Sequence, residues 1–477
     1  MQLEVIHNGG ALRHGSQEFR LKDLVGVDRL GPGGLRIRSA SAVTGGRLRL
    51  VLADGATHHV ALPAPRPDGP PDLVVRGAGQ LLTMNGDGLG LVENGAVACR
   101  GREIVAVGPS AEVERDAPAG AATRVIDARG GLVTPGLIDP HTHPVFGRSD
   151  RHVEFDLKAR GASYLEIHKA GGGILSTVRA TRAATFDELA ATCAENLSRL
   201  LRWGVTTIEG KSGYALETAG ELRLLEVLRT TSATHPVDIE PTLLGAHALP
   251  PEHADDRDAY VERVAHEMVP RAAGQGLAKH CDAYCEDGAF TTDEVEAIFA
   301  AARANGLGLR LHAEQFTDQG GAGLAAQLGA ASADHLEAIS PAGIEAMARA
   351  GTVAVLLPGA ALTCRCPWPP ARELLDAGVP VALGTDLNPG SSMTSSLPLM
   401  MSLACAQMRM SCEEAWRAVT TVAARSLGLA WTHGRLAPGA RADLVIFDVP
   451  DHRIVPYHYG DNHARVVVKD GRVVIGG

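Results

Sequence analysis

The sequence predicts an α/β protein: a (β/α)8 TIM barrel with a flanking β-sandwich domain built from the N- and C-terminal segments, plus an N-terminal extension. Three observations predict it. Eight apolar strand candidates alternate with helical stretches between about Leu132 and Leu429. Strand-rich text brackets that middle on both sides. Histidines and acids recur at the C-terminal ends of the strands, where barrels of this kind gather their chemistry. A doubly wound open sheet is the alternative, but no Gly-x-Gly-x-x-Gly turn follows the first strand.

The elements follow in chain order. Within residues 1–70, Leu35-Arg36-Ile37-Arg38 and Arg47-Leu48-Arg49-Leu50-Val51-Leu52 alternate apolar and polar positions, as small β-hairpins do. Leu62-Pro63-Ala64-Pro65-Arg66-Pro67-Asp68-Gly69-Pro70-Pro71 then reads as a stiff linker. Segments 72–136 and 430–477 share strand-and-turn text and are expected to form one composite β-sandwich. Residues 137–429 are expected to form the barrel, with strands ending near Asp139, Glu209, Leu244, Asp282, His312, His335, Leu357 and Asp386. The clearest helix is Thr185–Trp203. Thr185 and Glu188 have capping-box spacing, apolar residues recur at helical intervals, and Gly204 stands at the stop.

Composition narrows the function. A chain of 477 residues, 45% hydrophobic, can bury a large core. A net charge of -10 argues against a nucleic-acid partner, because phosphate binding calls for a basic surface. No apolar run reaches membrane-span length, and Met1-Gln2-Leu3-Glu4-Val5 does not open a secretory signal. Eight scattered cysteines then read as reduced thiols of a cytoplasmic enzyme.

The chemistry lies at the strand ends. In extended backbone, residues i and i+2 project to the same side, so His141 and His143 can reach one ion. In a chain with 19 histidines, that pair alone is as well explained by a surface loop. His247, His312, His335 and Asp386 end other strands, and chance is a poor account of so many on one rim. Three imidazoles and a carboxylate suit Zn²⁺, a similar divalent ion, or non-haem iron. Such an ion brings bound water toward neutral ionisation and so serves hydrolysis at a carbon bearing nitrogen or oxygen. The absence of Gly-x-Ser-x-Gly disfavours a serine hydrolase.

Leu137-Ile138-Asp139-Pro140-His141-Thr142-His143, the late Gly384-Thr385-Asp386 and the strand-rich flanks resemble the amidohydrolase superfamily. Within it the chain is similar to the imidazolonepropionase family over about residues 72–477. The matching segments are His141–Gly147, Ser163–Ile167, Gly171–Val178, Lys211-Ser212-Gly213-Tyr214, Leu244-Gly245-Ala246-His247, Cys285–Phe290 and Asn388-Pro389-Gly390-Ser391-Ser392. The resemblance implies metal ligation by His141, His143, His312 and Asp386. It implies a substrate lining of Arg151, Tyr214, His247, Gln315, Asn388, Gly390 and Ser391. The implied reaction is opening of 4-imidazolone-5-propanoate to N-formimidoyl-L-glutamate in L-histidine degradation, by a metal-activated water. Asp386 would take the proton and His335 would steady the oxyanion.

A propanoate tail calls for a forked cation, and Arg151 fits that need. The segment Arg148-Ser149-Asp150-Arg151 is one residue longer than the family spacing, which leaves Arg148 as the alternative. Gln315 stands where some relatives carry Glu, and an amide cannot act as general base. Lys211 could suggest a carboxylated bridge between two metals, but its context favours a single ion, Zn or Fe. Cys281-x-x-x-Cys285 and Cys364-x-Cys366 lack fourfold spacing and read as ordinary thiols. The expected partner is a small molecule with a carboxylate tail, and a homodimer is compatible with the strand-rich flanks. Two other readings stand beside this one: another cyclic-amide hydrolase or aminopurine-type deaminase on the same scaffold, and a non-catalytic scaffold protein.

Overall fold

The computed structural model describes residues 4–6, 11–14, 17–20, 37–43, 47–52, 57–61, 69–86, 88–149, 151–161 and 172–476. Leu35, Arg36, most of the proline-rich linker and the Ser163–Ile167 motif lie outside them. In the N-terminal region, Ile37–Val43, Arg47–Leu52 and Thr57–Ala61 form an antiparallel three-stranded sheet, as the alternation predicts. A second such sheet comprises Glu4–Ile6, Ala11–His14 and Gln17–Arg20.

The barrel strands are β1 (Leu137–Asp139), β2 (Val205–Lys211), β3 (Asp238–Ala246), β4 (His280–Cys285), β5 (Gly308–Ala313), β6 (Ser332–His335), β7 (Val353–Leu356) and β8 (Val381–Leu383). They pair in sequence order, and every pairing is parallel. β8 stops three residues before the expected Asp386. Asp386 has φ 51°, a left-handed conformation that no strand continues. The first and last strands meet just beyond their ends. Asp386 N donates to His141 O at 3.0 Å, and His143 N donates to Leu387 O at 2.9 Å. The candidate ligand segments are therefore themselves the seam between β1 and β8.

Helices pack outside this ring. Phe186–Arg202 begins at Thr185 with the full reciprocal capping box to Glu188. It buries Leu189, Cys193, Leu197, Leu200 and Leu201, a stripe at helical spacing. Each buried leucine contributes about 1.5–3 kcal/mol of hydrophobic stabilisation. Gly204 ends the turn with φ 87°, a conformation in which a side chain would be strained.

The strand-rich flanks join in one hydrogen-bonded sheet of eight strands. Its path runs Arg472–Ile475, Ala464–Lys469, Leu444–Phe447, Leu132–Pro135, Leu73–Leu82, Leu91–Arg100 and Glu103–Pro109. Arg124–Asp127 pairs alongside Leu73–Leu82. Side chains alternate across it. Leu73, Val75, Val97, Cys99, Val133, Leu444, Ile446, Val466 and Val468 share one core. Val74, Ala96 and Ala98 face the other way, where Val113 of the helix Ser110–Asp116 covers them.

A charged cluster ties this sheet to the start of β3. Lys469, whose side chain is only 2% exposed, donates to Asp238 Oδ2 at 2.6 Å and to Asp443 Oδ2 at 2.7 Å. Arg441 and His433 also face Asp238, at 3.3 and 3.6 Å. Burial alone would raise the Asp238 pKa, but His433, Lys469 and Arg441 outweigh it and hold it well below the carboxylate range. A depressed folded pKa stabilises the fold above the unfolded value of about 3.9, and that stabilisation fades as pH falls. Asp238→Asn is expected to cost about 2 kcal/mol at pH 7. In denaturant titrations, the gap from wild type should narrow below about pH 4.

Candidate metal and substrate site

Five of the six rim residues converge. His141, His143 and Asp386 each offer a ligand atom within 4.8 Å of the others, and His141, His312 and His335 do the same. Asp386 Oδ1 lies 3.5 Å from both His141 Nε2 and His143 Nε2. The ring centroids of His141 and His312 are 4.5 Å apart. All five residues are 3% exposed or less.

Carboxylates behind two of the histidines bias their tautomers. His141 Nδ1 sits 2.6 Å from Asp334 Oδ2, and His312 Nδ1 sits 3.0 Å from Asp282 Oδ2. At His141 the Nδ1 is thereby the protonated nitrogen and Nε2 is left as a bare donor; at His312 the nearby carboxylate favours the same tautomer. His141 Nε2 is buried with no hydrogen-bond partner. Burial, with the neighbouring charges, pushes the His141 and His143 pKa values well below the histidine norm. Buried neutral imidazoles without partners, facing a carboxylate, are the donor set a Zn²⁺ or iron ion takes.

Beneath them lies a fully buried charged layer. Lys211 Nζ donates to Glu209 Oε1 at 2.8 Å and to Asp282 Oδ2 at 2.7 Å, and lies 3.6 Å from Asp334. Arg310 Nε is 2.8 Å from Glu209, and its Nη2 donates to Pro140 O at 2.8 Å. Lys211 is thus an ammonium enclosed by carboxylates, in keeping with the single-ion reading.

The remaining candidates surround the histidines. His143 stacks on His247 with centroids 5.3 Å apart, and Tyr214 meets both rings edge-on or tilted. His247 Nδ1 donates to Gly213 O at 2.9 Å, and burial pulls its pKa down to about 3, so a neutral ring presents Nε2. Gln315 Oε1 accepts from Tyr284 Oη at 2.8 Å. Asn388 holds its own turn: its Oδ1 accepts from Gly390 N and Ser391 N at 2.8 Å each. Those two amides are committed inside the turn, while Ser391 Oγ donates to Asp386 Oδ2 at 3.2 Å.

The two arginines part company. Arg148 is 74% exposed in its side chain and pairs with Glu195 on the surface. Arg151 is 9% exposed, with Nε on Glu154 at 2.8 Å and Nη1 on Thr177 Oγ1 at 3.0 Å. A Cβ on Gly390 would lie 2.8 Å from Arg151 Nη2, so the missing side chain lets the guanidinium sit against this turn.

The amidohydrolase family profile matches residues 168–475. The imidazolonepropionase of Geobacillus kaustophilus is 48% identical over 84% of this chain and 98% of its own length. That of Myxococcus xanthus is 47% identical over 85% and 97%. The chain belongs to the imidazolonepropionase family of amidohydrolases. Its fold is also that of a zinc-bound adenosine deaminase from Xanthomonas campestris, with TM-score 0.67, 20% identity, and 86% and 94% of the two chains covered. An N-isopropylammelide isopropylaminohydrolase from Burkholderia multivorans gives 0.64 and 22%, over 85% and 98%.

In this imidazolonepropionase family member, several residues around the site went unread in the sequence. Arg310 and Asp334 sit on the strands of His312 and His335, and Glu209 and Asp282 on the neighbouring β2 and β4; the acid directly before His335 was the available signal. Glu154 and Thr177 seat Arg151, and Glu154 also accepts from Gly173 N at 2.9 Å. Glu337 Oε1 lies 3.7 Å from His335 Nδ1, and both its oxygens are buried without a hydrogen-bond partner. Burial works against charge on His335, but Glu337 outweighs it and brings the pKa up to about 9. None of the eight cysteines forms a disulfide. Among the described residues, no helix is long and apolar enough to cross a membrane.

Proposed function

We propose that this chain hydrolyses the ring amide of 4-imidazolone-5-propanoate to N-formimidoyl-L-glutamate in L-histidine degradation, with one metal ion, Zn or Fe, per chain. The observation that carries the reading is the buried Arg151 guanidinium, seated against the Asn388–Ser391 turn that also braces Asp386. It offers a forked cation beside a metal-type donor cluster, which suits a substrate with a carboxylate tail.

His141, His143, His312 and Asp386 would hold the ion, which when bound lowers the pKa of water and polarises a carbonyl. Arg151 grips the propanoate. His247 Nε2 and the Tyr214 hydroxyl face the ring, and Gln315, tied to Tyr284, orients without taking a proton. Ser391 donates to Asp386 and so helps set the position of its carboxylate. As a water oxygen adds to the ring carbonyl carbon, Asp386 takes the water's proton and His335 steadies the oxyanion. The C–N bond then breaks, and the departing nitrogen receives the proton that Asp386 took from water. The division into 1–70, 72–136 with 430–477, and 137–429, a cytoplasmic location and a homodimeric state belong to the same reading.

The test is loss of imidazolone absorbance, with metal content measured on the same sample. Turnover of imidazolonepropanoate well above that of other cyclic amides and aminopurines is expected. Preference for one of those compounds, or absence of a stoichiometric transition metal, would overturn the reading. Arg151→Ala should raise KM by about 10–150-fold, the value of a charge-assisted contact of about 1.5–3 kcal/mol. Arg148→Ala should leave KM within about twofold of wild type, as expected for an exposed ion pair.

A further inference from the structure

A second set of metal-type donors lies far from the barrel rim. The loop between the short helix Ile454–Tyr457 and the strand Ala464–Lys469 carries His458, Asp461 and His463. One ligand atom from each lies within 4.8 Å of the other two. His458 Nδ1 faces His463 Nε2 at 3.1 Å, with ring centroids 5.1 Å apart. His458 and Asp461 are exposed, and His463 is half-buried.

The loop is built, not loose. Asn462 Nδ2 donates to Arg202 O at 2.8 Å, and Asn462 Oδ1 accepts from Ala464 N at 3.0 Å. Asp448 N donates to His463 O at 2.8 Å, and His458 N to Ile454 O at 2.8 Å. Arg202 ends the helix that leads into the start of β2, so the cluster stands at the end of the barrel opposite the catalytic rim.

Two imidazole nitrogens pointing at each other require something between them: the proton of one ring or a cation. A proton serves only the two nitrogens. A cation serves both and the Asp461 carboxylate together. Nitrogen ligands at about 2.0–2.1 Å around a tetrahedral ion stand about 3.3 Å apart, near the 3.1 Å found here. Imidazole donors select first-row transition ions over Mg²⁺ or Ca²⁺. We propose that His458, Asp461 and His463 form a surface site for a divalent cation of the Zn²⁺, Ni²⁺ or Cu²⁺ class, separate from the catalytic ion.

The test uses full-length enzyme carrying its resident ion, dialysed against increasing Ni²⁺, with both metals quantified and turnover followed. One Ni²⁺ per chain beyond the resident ion is expected. The His458→Ala/His463→Ala double variant should lose that equivalent while keeping its resident ion and its turnover, which also shows that it folds. Asp461→Asn should weaken Ni²⁺ binding about tenfold. With Cu²⁺ as probe, the electron paramagnetic resonance spectrum should show two coordinated nitrogens. No added equivalent in wild type, an added equivalent that survives in the double variant, or loss of the resident ion from that variant would each overturn the proposal.

Discussion

Lys211→Met is expected to destabilise the fold by about 3–5 kcal/mol and to weaken metal binding by about 10–100-fold. The two effects have one origin. The buried layer sets two cations, Lys211 and Arg310, against three carboxylates, Glu209, Asp282 and Asp334. Removing Lys211 leaves three buried acids facing one arginine, and burial then drives a proton onto one of them. Asp282 is the acid most dependent on Lys211. Burial pushes its pKa up, and His312 and Lys211 are the main groups that outweigh burial and hold it low. A protonated Asp282 would no longer favour the Nδ1–H tautomer of His312, and Nε2 would cease to be a dependable ligand. Guanidinium unfolding and competition against a chelator read the two effects separately. A variant with wild-type stability and reduced metal affinity would show that the lysine serves ligand orientation alone. No change in either would remove the layer from the account.

How much of this was legible in the sequence varied with the range of the interaction. Local signals carried well: the Thr185–Glu188 box starts its helix where expected, and the ends of β1 and β6 fall at Asp139 and His335. Period-2 text at the chain ends located the strands but not their pairing. Leu132–Pro135 sits between Leu73–Leu82 and Leu444–Phe447, and that order rests on contacts across more than 300 residues. At the site, the five clustered residues were visible because each stands at or just beyond the end of a strand. Asp282 and Asp334 were not singled out, since an acid inside an apolar strand shows no partner in the sequence. The choice between Arg148 and Arg151 was likewise beyond spacing. It turns on Glu154, Thr177 and the bare Cα of Gly390, three separate segments that meet only in the folded chain.

His335→Ala is expected to lower kcat by about 10²–10⁴-fold with metal content close to wild type. The geometry makes this a sharp question. His335 has a ligand atom within 4.8 Å of those of His141 and His312, so its position alone would also suit a fourth imidazole ligand. What sets it apart is the group behind it. His141 and His312 are backed by Asp334 and Asp282, both bound into the Lys211–Arg310 layer, whereas His335 is backed at 3.7 Å by Glu337, whose oxygens have no hydrogen-bond partner. That isolated carboxylate favours a proton on His335, which suits a residue that meets developing negative charge and not one that gives a lone pair to a cation. Glu337→Gln should therefore reduce kcat about tenfold, leave KM nearly unchanged and keep the metal. If His335→Ala emerges depleted of metal in proportion to its lost turnover, His335 is a ligand, and the oxyanion must be steadied by another group.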